Sequence, residues 1–554
     1  FINSCQVQIS HYVHSSTKLL DSHRRKIASV VFSGDLSKTK LRLLMATRTI
    51  PRQIIAKVRY NTTSSTTTKP LNFPTPSLTP AAASAAGDAV ATPPPVFLER
   101  TSDVQKPPLT GESLVNLDDV QRLFSFVPTS KLLRSSAVLH ATGSESMVDF
   151  GMWVMKSKLM EVDVLRNIIL AAVRRTFFEH FCAGEDAATA ARSIKGLTDA
   201  GLRGMLVYGV EDANDNDACD RNLTGFLHTV DVSRSLPPSS VSFVIVKITA
   251  ICPMSLLERI SDFLRWQQKD PSLKLPWKRE TLPIFSESSP LYHTQTRPEP
   301  LSPEEESDLE LAHRRLEELS RRCVQANIPL LVDAEHTTVQ PAIDYFTYSS
   351  AIEHNKGQNP IIFGTMQTYL KDAKERLLKT TEASDKMGIP MGFKLVRGAY
   401  MSLEGRLAES LGQPSPIHNT IEDTHRCFND CSSLMLERIG NGTNGAASGG
   451  AVVLATHNVE SGKLAAAKAW ELGMGKVNHK LEFAQLYGMS EGLSYGLSNA
   501  GFQVSKYMPF GAVETVMPYL LRRAEENRGM LAASGFDRKL MGKELSRRFK
   551  ASVF

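Results

Sequence analysis

Short apolar runs recur along the chain from Gly201 onward, and each is followed by a stretch in which apolar residues have helical spacing. Runs of this kind are typical of strands that are buried on both faces of a parallel sheet. Eight strands are predicted, at residues 204–212, 242–250, 328–337, 360–369, 392–401, 451–458, 481–489 and 502–511. Eight strand and helix repeats predict an α/β fold, a (βα)8 barrel of the TIM type. A doubly wound sheet is the alternative that the pattern leaves open.

Two segments of different composition precede these repeats. Residues 118–200 have helical apolar spacing and predict a helical lead-in to the barrel, which then occupies residues 201–554. Residues 1–117 include a tract rich in Thr, Ser, Pro and Ala, from Thr62 to Pro95. This composition predicts a disordered leader and linker before the lead-in.

The charge distribution indicates what the leader does. Residues 1–100 contain 13 Lys and Arg against 4 Asp and Glu, whereas residues 101–554 contain 51 against 54. There is no acidic residue from Met45 to Gly87, as is typical of organellar transit peptides. Because the chain begins with Phe1, Met45 is the predicted start. The basic excess belongs to the leader, so it does not support nucleic-acid binding.

Neither the cysteines nor the apolar runs indicate a metal centre or a membrane span. The seven cysteines include no CxxC pair and do not cluster with histidines, so no metal is expected. The most apolar run, residues 241–257, is interrupted by Lys247 and Pro253 and is too short to cross a bilayer. Any membrane contact is therefore expected to be peripheral.

Charged residues lie where the predicted strands end, which is the active-site mouth of a (βα)8 barrel. Lys247 interrupts the second apolar run, and an ammonium there needs a partner because its desolvation is costly. Asp333, at the end of the third run, is the expected partner. Metal ligation by Asp333 with Glu335, His336 and His457 is conceivable, but their spacing matches no strong ligand motif.

Other polar and aromatic residues occupy the ends of further runs around the same mouth. They are Gln367, Arg397, Tyr400, Thr456, His457 and Tyr507, with Leu486 as an apolar neighbour. Arg397 precedes a glycine that allows close approach of the backbone. A cation among hydrogen-bond donors suits an electron-rich or anionic cofactor. The set would enclose a small molecule against a planar cofactor.

A helix pattern follows the eighth run, and its polar residues share one broad face. Tyr519 lies one turn before Arg522 and Arg523, and Glu526 follows them by one turn. Two guanidinium forks can saturate the lone pairs of one carboxylate, so this face could hold a small anion. The alternative is an exposed helix whose arginines pair with acids of the same helix.

Four motifs, VRGAY (396–400), LATHN (454–458), YGM (487–489) and YLLRRAEEN (519–527), together resemble the proline dehydrogenase family in its plant mitochondrial form. The resemblance spans residues 118–554. It implies a distorted barrel whose last helix lies over the carboxyl ends of the strands. It also implies FAD as cofactor and oxidation of L-proline to Δ1-pyrroline-5-carboxylate, with hydride transfer to flavin N5. A membrane quinone would accept the electrons, at the matrix side of the mitochondrial inner membrane.

The resemblance further implies roles for individual residues. The flavin contacts would be Ala334, Gln367, Arg397, Tyr400, Thr456 and His457, and Asp333 and Arg397 would be catalytic. Arg522 and Arg523 would clamp the proline carboxylate, with Glu526 holding them in place. Lys247 would pair with Asp333, and the pocket walls would be Tyr400, Leu486, Tyr507 and Tyr519. No G-x-G-x-x-G motif follows a strand, so Rossmann-type binding of FAD is not expected.

Three alternatives remain open at this level. A barrel lyase would use Lys247 as a Schiff-base nucleophile, which apolar surroundings favour by lowering its pKa. A non-catalytic barrel that binds amino acids would keep the arginine clamp without redox chemistry. Within the resembling family, hydroxyproline is the alternative substrate, although Tyr507 favours proline because a phenol crowds an added hydroxyl.

Overall fold

The apolar runs form eight parallel strands that close into a barrel in the computed structural model, which describes residues 114–284, 293–441, 450–474, 479–529 and 531–553. The strands are β1 (Arg203–Tyr208), β2 (Val241–Val246), β3 (Leu330–Val332), β4 (Ile362–Gln367), β5 (Gly392–Val396), β6 (Ala451–Ala455), β7 (Leu481–Leu486) and β8 (Val504–Phe510). The predicted barrel is confirmed, and a doubly wound sheet is excluded. Each predicted segment runs past its strand, because the polar residues after each apolar run belong to the loops at the mouth.

Helices precede, surround and follow the barrel. In chain order they are α1 (Val120–Leu123), α2 (Thr129–Thr142), α3 (Glu145–Lys156), α4 (Asp163–Val173), α5 (Glu179–Phe181), α6 (Ala187–Asp199), α7 (Asn216–Ser235), α8 (Met254–Lys269), α9 (Pro303–Ala326), α10 (Gln340–His354), α11 (Ala373–Lys386), α12 (Met401–Ser410), α13 (Ile421–Asn441), α14 (Val459–Glu471), α15 (Glu491–Asn499), α16 (Met517–Gly529) and α17 (Leu531–Val553). Helices α7–α15 lie between strands. Helix α16 follows β8 and crosses the mouth, and α17 continues the chain.

Helix α9 shows how local sequence sets the element boundaries. The Ser302 hydroxyl accepts the Glu305 N–H at 3.2 Å, and the Glu305 carboxylate accepts the Ser302 N–H at 2.9 Å. Pro303 occupies the first helical turn, where no N–H is needed. Asn327 ends the helix in the left-handed conformation, with φ of 52°. Strand β3 then begins within three residues.

Two apolar layers hold the strands in place. The barrel interior is filled by side chains such as Phe243 and Phe363, whose rings meet edge to face with centroids 4.8 Å apart. A larger layer lies between the strands and the surrounding helices. The interior is therefore a packed core rather than an open pore.

The last helix fastens the lead-in to the barrel. Arg548 of α17 donates to the carbonyl oxygens of Phe124 at 2.6 Å and Val127 at 2.8 Å, and to the Thr129 hydroxyl at 2.9 Å. Its Nε donates to the buried carboxylate of Glu544 at 2.7 Å. One guanidinium thus joins the last helix of the chain to the start of the lead-in.

The predicted leader and linker at residues 1–117, with Met45 as the predicted start, lie outside the described residues except for residues 114–117. Within the described ranges, no helix has both the length and the apolar character that crossing a membrane requires.

We predict that Arg548→Ala lowers the free energy of unfolding by about 2–4 kcal/mol, because it removes charge-assisted bonds to buried backbone oxygens. Arg547→Ala is the matched control, since Arg547 bonds only Glu544 among these groups and is 40% exposed. Its expected cost is below about 1 kcal/mol. Urea unfolding followed by circular dichroism measures both, and equal losses would contradict the role of Arg548.

Candidate active site

Lys247 lies at the centre of a charge network at the carboxyl ends of the strands. Its ammonium lies 3.2 Å from Glu211 Oε2 and 3.5 Å from Glu335 Oε2. It also donates a hydrogen bond to the Tyr400 hydroxyl at 3.2 Å. The Glu211 carboxylate accepts both branches of the Arg522 guanidinium, Nη1 at 2.8 Å and Nη2 at 3.0 Å. The network joins the loops after β1, β2, β3 and β5 to helix α16.

Burial and charge pairing shift the pKa values of these groups in opposite directions. Burial disfavours the Lys247 ammonium, but the carboxylates of Glu335 and Glu211 outweigh it and hold the pKa of Lys247 well above its ordinary value. Burial also opposes the charge of Glu211, yet Lys247 and Arg522 lower its pKa to about 2. For Glu335, burial prevails over the attraction of Lys247 and raises its pKa. The charges are tolerated in the mouth because they are buried together.

Asp333 is not the partner of Lys247, and that prediction was wrong. Its Oδ1 pairs with the ammonium of Lys394, and its Oδ2 accepts a hydrogen bond from the Tyr507 hydroxyl at 2.7 Å. The Lys394 ammonium also lies 5.4 Å from the centre of the Tyr507 ring. The neighbours of Lys394 on either side pack in the outer apolar layer, so strand alternation directs Lys394 into the barrel.

Helix α16 directs part of its polar face toward the mouth. Arg522 bonds Glu211 in the loop after β1 and its side chain is only 25% exposed, which excludes the exposed-helix alternative for this residue. Arg523 is buried and lies 5.1 Å over the ring of Tyr519. The side chain of Glu526 lies outside the described residues, so its predicted contact with the arginines stays a prediction.

The predicted apolar walls meet at the ends of the last two strands. Strand pairing places Leu486 of β7 opposite Tyr507 of β8. Leu486 and Tyr519 both pack against one apolar cluster, which includes Met489 and Leu520. An apolar surface therefore adjoins the Asp333 and Lys247 networks, as a small amphipathic ligand requires.

Arg397 donates hydrogen bonds to three uncharged groups. They are Thr456 Oγ1 at 2.6 Å, Ser461 Oγ at 2.7 Å and His425 Nδ1 at 3.1 Å. Burial lowers the pKa of Arg397 to about 10. No carboxylate forms an ion pair with Arg397 in the ranges that the structure describes, so its charge is available to an anionic ligand. The first turn of α14, capped by Asn458, adds the positive end of a helix dipole.

Gln367 and His457 present polar atoms that could meet a ligand. The Gln367 side chain donates to the Glu335 carbonyl oxygen at 2.7 Å, but its own buried Oε1 accepts no hydrogen bond from a described residue. His457 Nε2 accepts the Leu486 N–H at 3.1 Å. Burial lowers the pKa of His457 to about 3, so the ring is neutral and Nδ1 carries its proton as a donor. Ala334, partly exposed, immediately precedes Glu335.

The structure adds Glu211, Lys394 and His425 to the residues that the sequence indicated. Lys394 carries the same signal as Lys247, a lysine within an apolar run, and could have been found from it. Glu211 lies in the polar end of the first run and could have been named as a strand-end acid. His425 lies on α13, far from any strand end in the sequence, and no local pattern marks it.

The four residues considered as metal ligands do not form a metal-binding group. No three of Asp333, Glu335, His336 and His457 bring ligand atoms within 4.8 Å of one another. Asp333 and Glu335 are instead paired with lysines. Lysine pairing and metal ligation would compete for the same carboxylate oxygens.

Comparison with protein families and with individual proteins gives a consistent result. The family model described as proline dehydrogenase matches residues 190–537. The chain is 57% identical over 439 residues to proline dehydrogenase 2, mitochondrial, of Arabidopsis thaliana, which is 79% of this chain and 91% of that protein. It is 56% identical over 450 residues to proline dehydrogenase 1, mitochondrial, of the same plant, with 81% and 89% covered.

A solved structure has the same barrel fold. Proline utilization A from Bdellovibrio bacteriovorus, inactivated by N-propargylglycine, superposes with a TM-score of 0.51 at 19% identity. The match covers 74% of this chain and 42% of that longer chain. At this identity the likeness extends to the fold alone.

We predict that Lys247→Met lowers the free energy of unfolding by about 3–5 kcal/mol at neutral pH, because it leaves Glu335 buried without a close cation. The pKa of Glu335 is already raised by burial, and loss of Lys247 raises it further. A carboxyl whose folded pKa exceeds its unfolded pKa destabilises the fold increasingly as pH rises between the two values. The difference in free energy of unfolding between Lys247→Met and the unsubstituted protein should therefore shrink as the pH falls toward the ordinary carboxyl pKa.

The double substitution Lys247→Met with Glu335→Gln is the control for this prediction. Removing the unpaired charge should restore most of the lost stability and abolish the additional pH dependence. Urea unfolding across pH measures both variants. A double variant as unstable as Lys247→Met would show that lost packing, rather than an unpaired carboxylate, causes the effect.

Proposed function

The chain belongs to the proline dehydrogenase family, and we propose that it oxidises L-proline to Δ1-pyrroline-5-carboxylate with FAD as cofactor. It is an oxidoreductase. The observation that carries the proposal is the Arg522 fork at the barrel mouth, which holds the Glu211 carboxylate through two parallel hydrogen bonds. Guanidinium forks bind substrate carboxylates with this geometry.

In the bound state, the proline carboxylate would replace Glu211 on Arg522. Arg523, the next residue, would supply a second cation from its buried position over Tyr519. Glu211 would keep Lys247 as a partner, at 3.2 Å in this structure. Lys247 therefore lowers the cost of the exchange, because no carboxylate is left without a cation.

The pyrrolidine ring of proline would lie against the apolar walls formed by Leu486, Tyr507 and Tyr519. These side chains would exclude water and hold the reacting carbon in one orientation. The Tyr507 hydroxyl is held by Asp333, whose other oxygen pairs with Lys394. Both oxygens of Asp333 are therefore engaged, and we infer that it positions Tyr507 and Lys394 rather than taking a proton from the substrate.

The donors and acceptors around the mouth suit FAD. Gln367 offers a buried acceptor oxygen without a partner in the described residues, and His457 offers an Nδ1 donor. Arg397 has no carboxylate partner among the described residues. Its charge therefore suits the anionic parts of the cofactor. Thr456, Ala334 and Tyr400 would complete the predicted contacts. When bound, FAD would supply a two-electron acceptor that takes a hydride at N5.

The other candidate functions receive less support from this geometry. A Schiff-base lyase needs a neutral amine at Lys247, whereas the neighbouring carboxylates hold the pKa of Lys247 well above its ordinary value despite burial. A non-catalytic sensor would have no use for Arg397, which no described carboxylate pairs with, or for the Gln367 acceptor. Substrate choice between proline and hydroxyproline would depend on the crowding of the ring by Tyr507.

The electron acceptor and the location are also proposals. Both Arabidopsis relatives are named mitochondrial, which supports a mitochondrial protein. We propose that it works at the matrix side of the inner membrane in peripheral contact. A membrane quinone would reoxidise the reduced cofactor.

We expect the purified protein to show flavin absorption bands that bleach when L-proline is added without oxygen. The measurement is an anaerobic visible spectrum before and after the addition, with 4-hydroxyproline and a Schiff-base-forming ketone added in parallel. Bleaching by 4-hydroxyproline alone would reassign the substrate. Absence of flavin bands, with Lys247 trapped by borohydride, would establish the lyase instead.

We predict that Arg522→Met raises the KM for proline by about 10- to 100-fold for each hydrogen bond lost, with flavin absorbance unchanged. The reason is that a charge-assisted bond to a carboxylate contributes about 1.5–3 kcal/mol. Arg426→Met, on the exposed face of α13 with the arginine side chain 71% exposed, is the control and should leave KM unchanged. An unchanged KM in Arg522→Met would refute the clamp.

A further inference from the structure

Arg397 is held by hydrogen bonds that orient its guanidinium without neutralising it. Nη1 donates to Thr456 Oγ1 at 2.6 Å, Nη2 to Ser461 Oγ at 2.7 Å and Nε to His425 Nδ1 at 3.1 Å. A guanidinium carries five N–H groups, so two of them, one on each terminal nitrogen, have no partner among the described residues. The charge and two oriented donors are therefore available to a ligand.

Helix α13 supplies two of the contacts that define this orientation. His425 accepts the Nε–H bond, and Phe428 lies three residues later on the same face of the helix. The ring of Phe428 is fully buried, and its centre lies 4.3 Å from the guanidinium carbon of Arg397. This cation–π contact supports the guanidinium from one side, while the imidazole holds its Nε edge.

The imidazole of His425 is itself held between two elements. The residue is half-buried, and its Nε2 lies 3.4 Å from the side-chain nitrogen of Asn458. Asn458 caps α14, because its Oδ1 accepts the Ser461 N–H at 2.8 Å. The ring therefore lies between Arg397 and the first turn of the helix that also carries Ser461.

The bond from Arg397 to His425 requires the neutral form of the imidazole. Nδ1 accepts the Nε–H through a lone pair, which protonation of Nδ1 would occupy. Protonation would also place a second cation 3.1 Å from Arg397 Nε. Acid would therefore both remove the acceptor and repel the guanidinium.

The surroundings of His425 favour its neutral form. Burial lowers the pKa of His425 and the charge of Arg397 lowers it further, whereas Glu422, an exposed acid on the same helix, opposes both. Helix α14 faces the ring with an uncharged amide. Helix α11 contacts α13 through the ion pair of Lys374 and Asp430, more than one turn beyond His425. The imidazole is therefore neutral at neutral pH and becomes a cation only in acid.

We propose that His425 is a positioning residue whose neutral imidazole holds Arg397 in the orientation that binds FAD, and whose protonation releases it. This inference rests on the proposed function, in which Arg397 meets the anionic parts of the cofactor. A carboxylate in place of the imidazole would hold Arg397 too, but it would neutralise the charge that the cofactor needs. The imidazole orients the guanidinium without neutralising it. Unlike the two hydroxyl acceptors, it is removed by a modest fall in pH.

The experiment measures the Kd for FAD from about pH 5 to 8, the range in which histidine titrates, by the fluorescence of flavin released on dilution of the holoenzyme. We expect His425→Leu to raise the Kd about tenfold or more at every pH, because a hydrogen bond to a charged group is lost. The unsubstituted protein should bind tightly at neutral pH and lose affinity as the pH falls below the pKa of His425. Its affinity in acid should approach that of His425→Leu.

Two further variants separate the acceptor from the ring. In His425→Asn, Oδ1 can lie where Nδ1 lies and accept the same N–H, but it does not titrate. This variant should bind FAD like the unsubstituted protein at neutral pH and keep its affinity in acid. His479→Leu is the matched control, since burial and Arg203 lower the pKa of this exposed histidine just before β7, at the opposite end of the barrel. It should bind FAD like the unsubstituted protein at every pH.

Equal FAD affinity of His425→Leu and the unsubstituted protein would overturn the proposal, as would an acid loss that persists in His425→Asn. A raised Kd in both variants would show that the ring is needed for packing rather than as an acceptor, and would overturn it as well. Thermal unfolding of each variant checks that the fold is kept. If His425→Leu does not fold, the pH profile of His425→Asn decides alone.

Steady-state kinetics separate this proposal from the proposed function. With proline, a soluble dye as acceptor and saturating FAD, His425→Leu should lower kcat and leave the KM for proline unchanged, because Arg522 holds the substrate. Bleaching by proline with one and the same pH profile in all variants would leave the proposed function in place and refute the role of His425. Absence of flavin from the unsubstituted protein would refute the proposed function and, with it, this role.

Discussion

Buried carboxylates hold the two lysine charges, Lys247 and Lys394, at the mouth of this barrel. Lys247 and Lys394 both project from apolar strands into a region with little water, and each meets a carboxylate from another strand end. Removing Lys247 or Lys394 would leave the buried carboxylate of Glu335 or Asp333 without its cation. The charges of these pairs therefore depend on one another. The pairs that shape the site also contribute to the stability of the fold.

Closure of the barrel brings Glu211 and Arg522 into contact. Glu211 and Arg522 are 311 residues apart in the chain, and only the return of β8 to β1 places α16 over the first loop. The carboxylate that Arg522 holds is a group of the protein itself. A substrate carboxylate can take the same two hydrogen bonds, while Lys247 keeps Glu211 compensated. The same pair thus stabilises the mouth of the barrel and, in the proposed exchange, would select for an anion.

The helices before and after the barrel pack around this site and extend from it to the protein surface. Helix α17 fastens the start of the lead-in through Arg548, and α16 lies between the lead-in and the mouth. The apolar cluster beneath α4 extends to Leu486 and Tyr519 at the pocket wall. The lead-in is therefore part of the surroundings of the site rather than an independent appendage.

The sequence by itself determined the barrel and the position of most polar residues at its mouth, because a buried parallel strand leaves an apolar run that ends where its loop begins. It also indicated Arg522 through helical spacing and through the family motifs. Only the tertiary structure decided which charge meets which: Asp333 pairs with Lys394 instead of Lys247, and Glu211 holds Arg522. The reason is that these partners come from different strands. Their meeting depends on strand alternation and barrel closure, which periodicity within one segment does not encode.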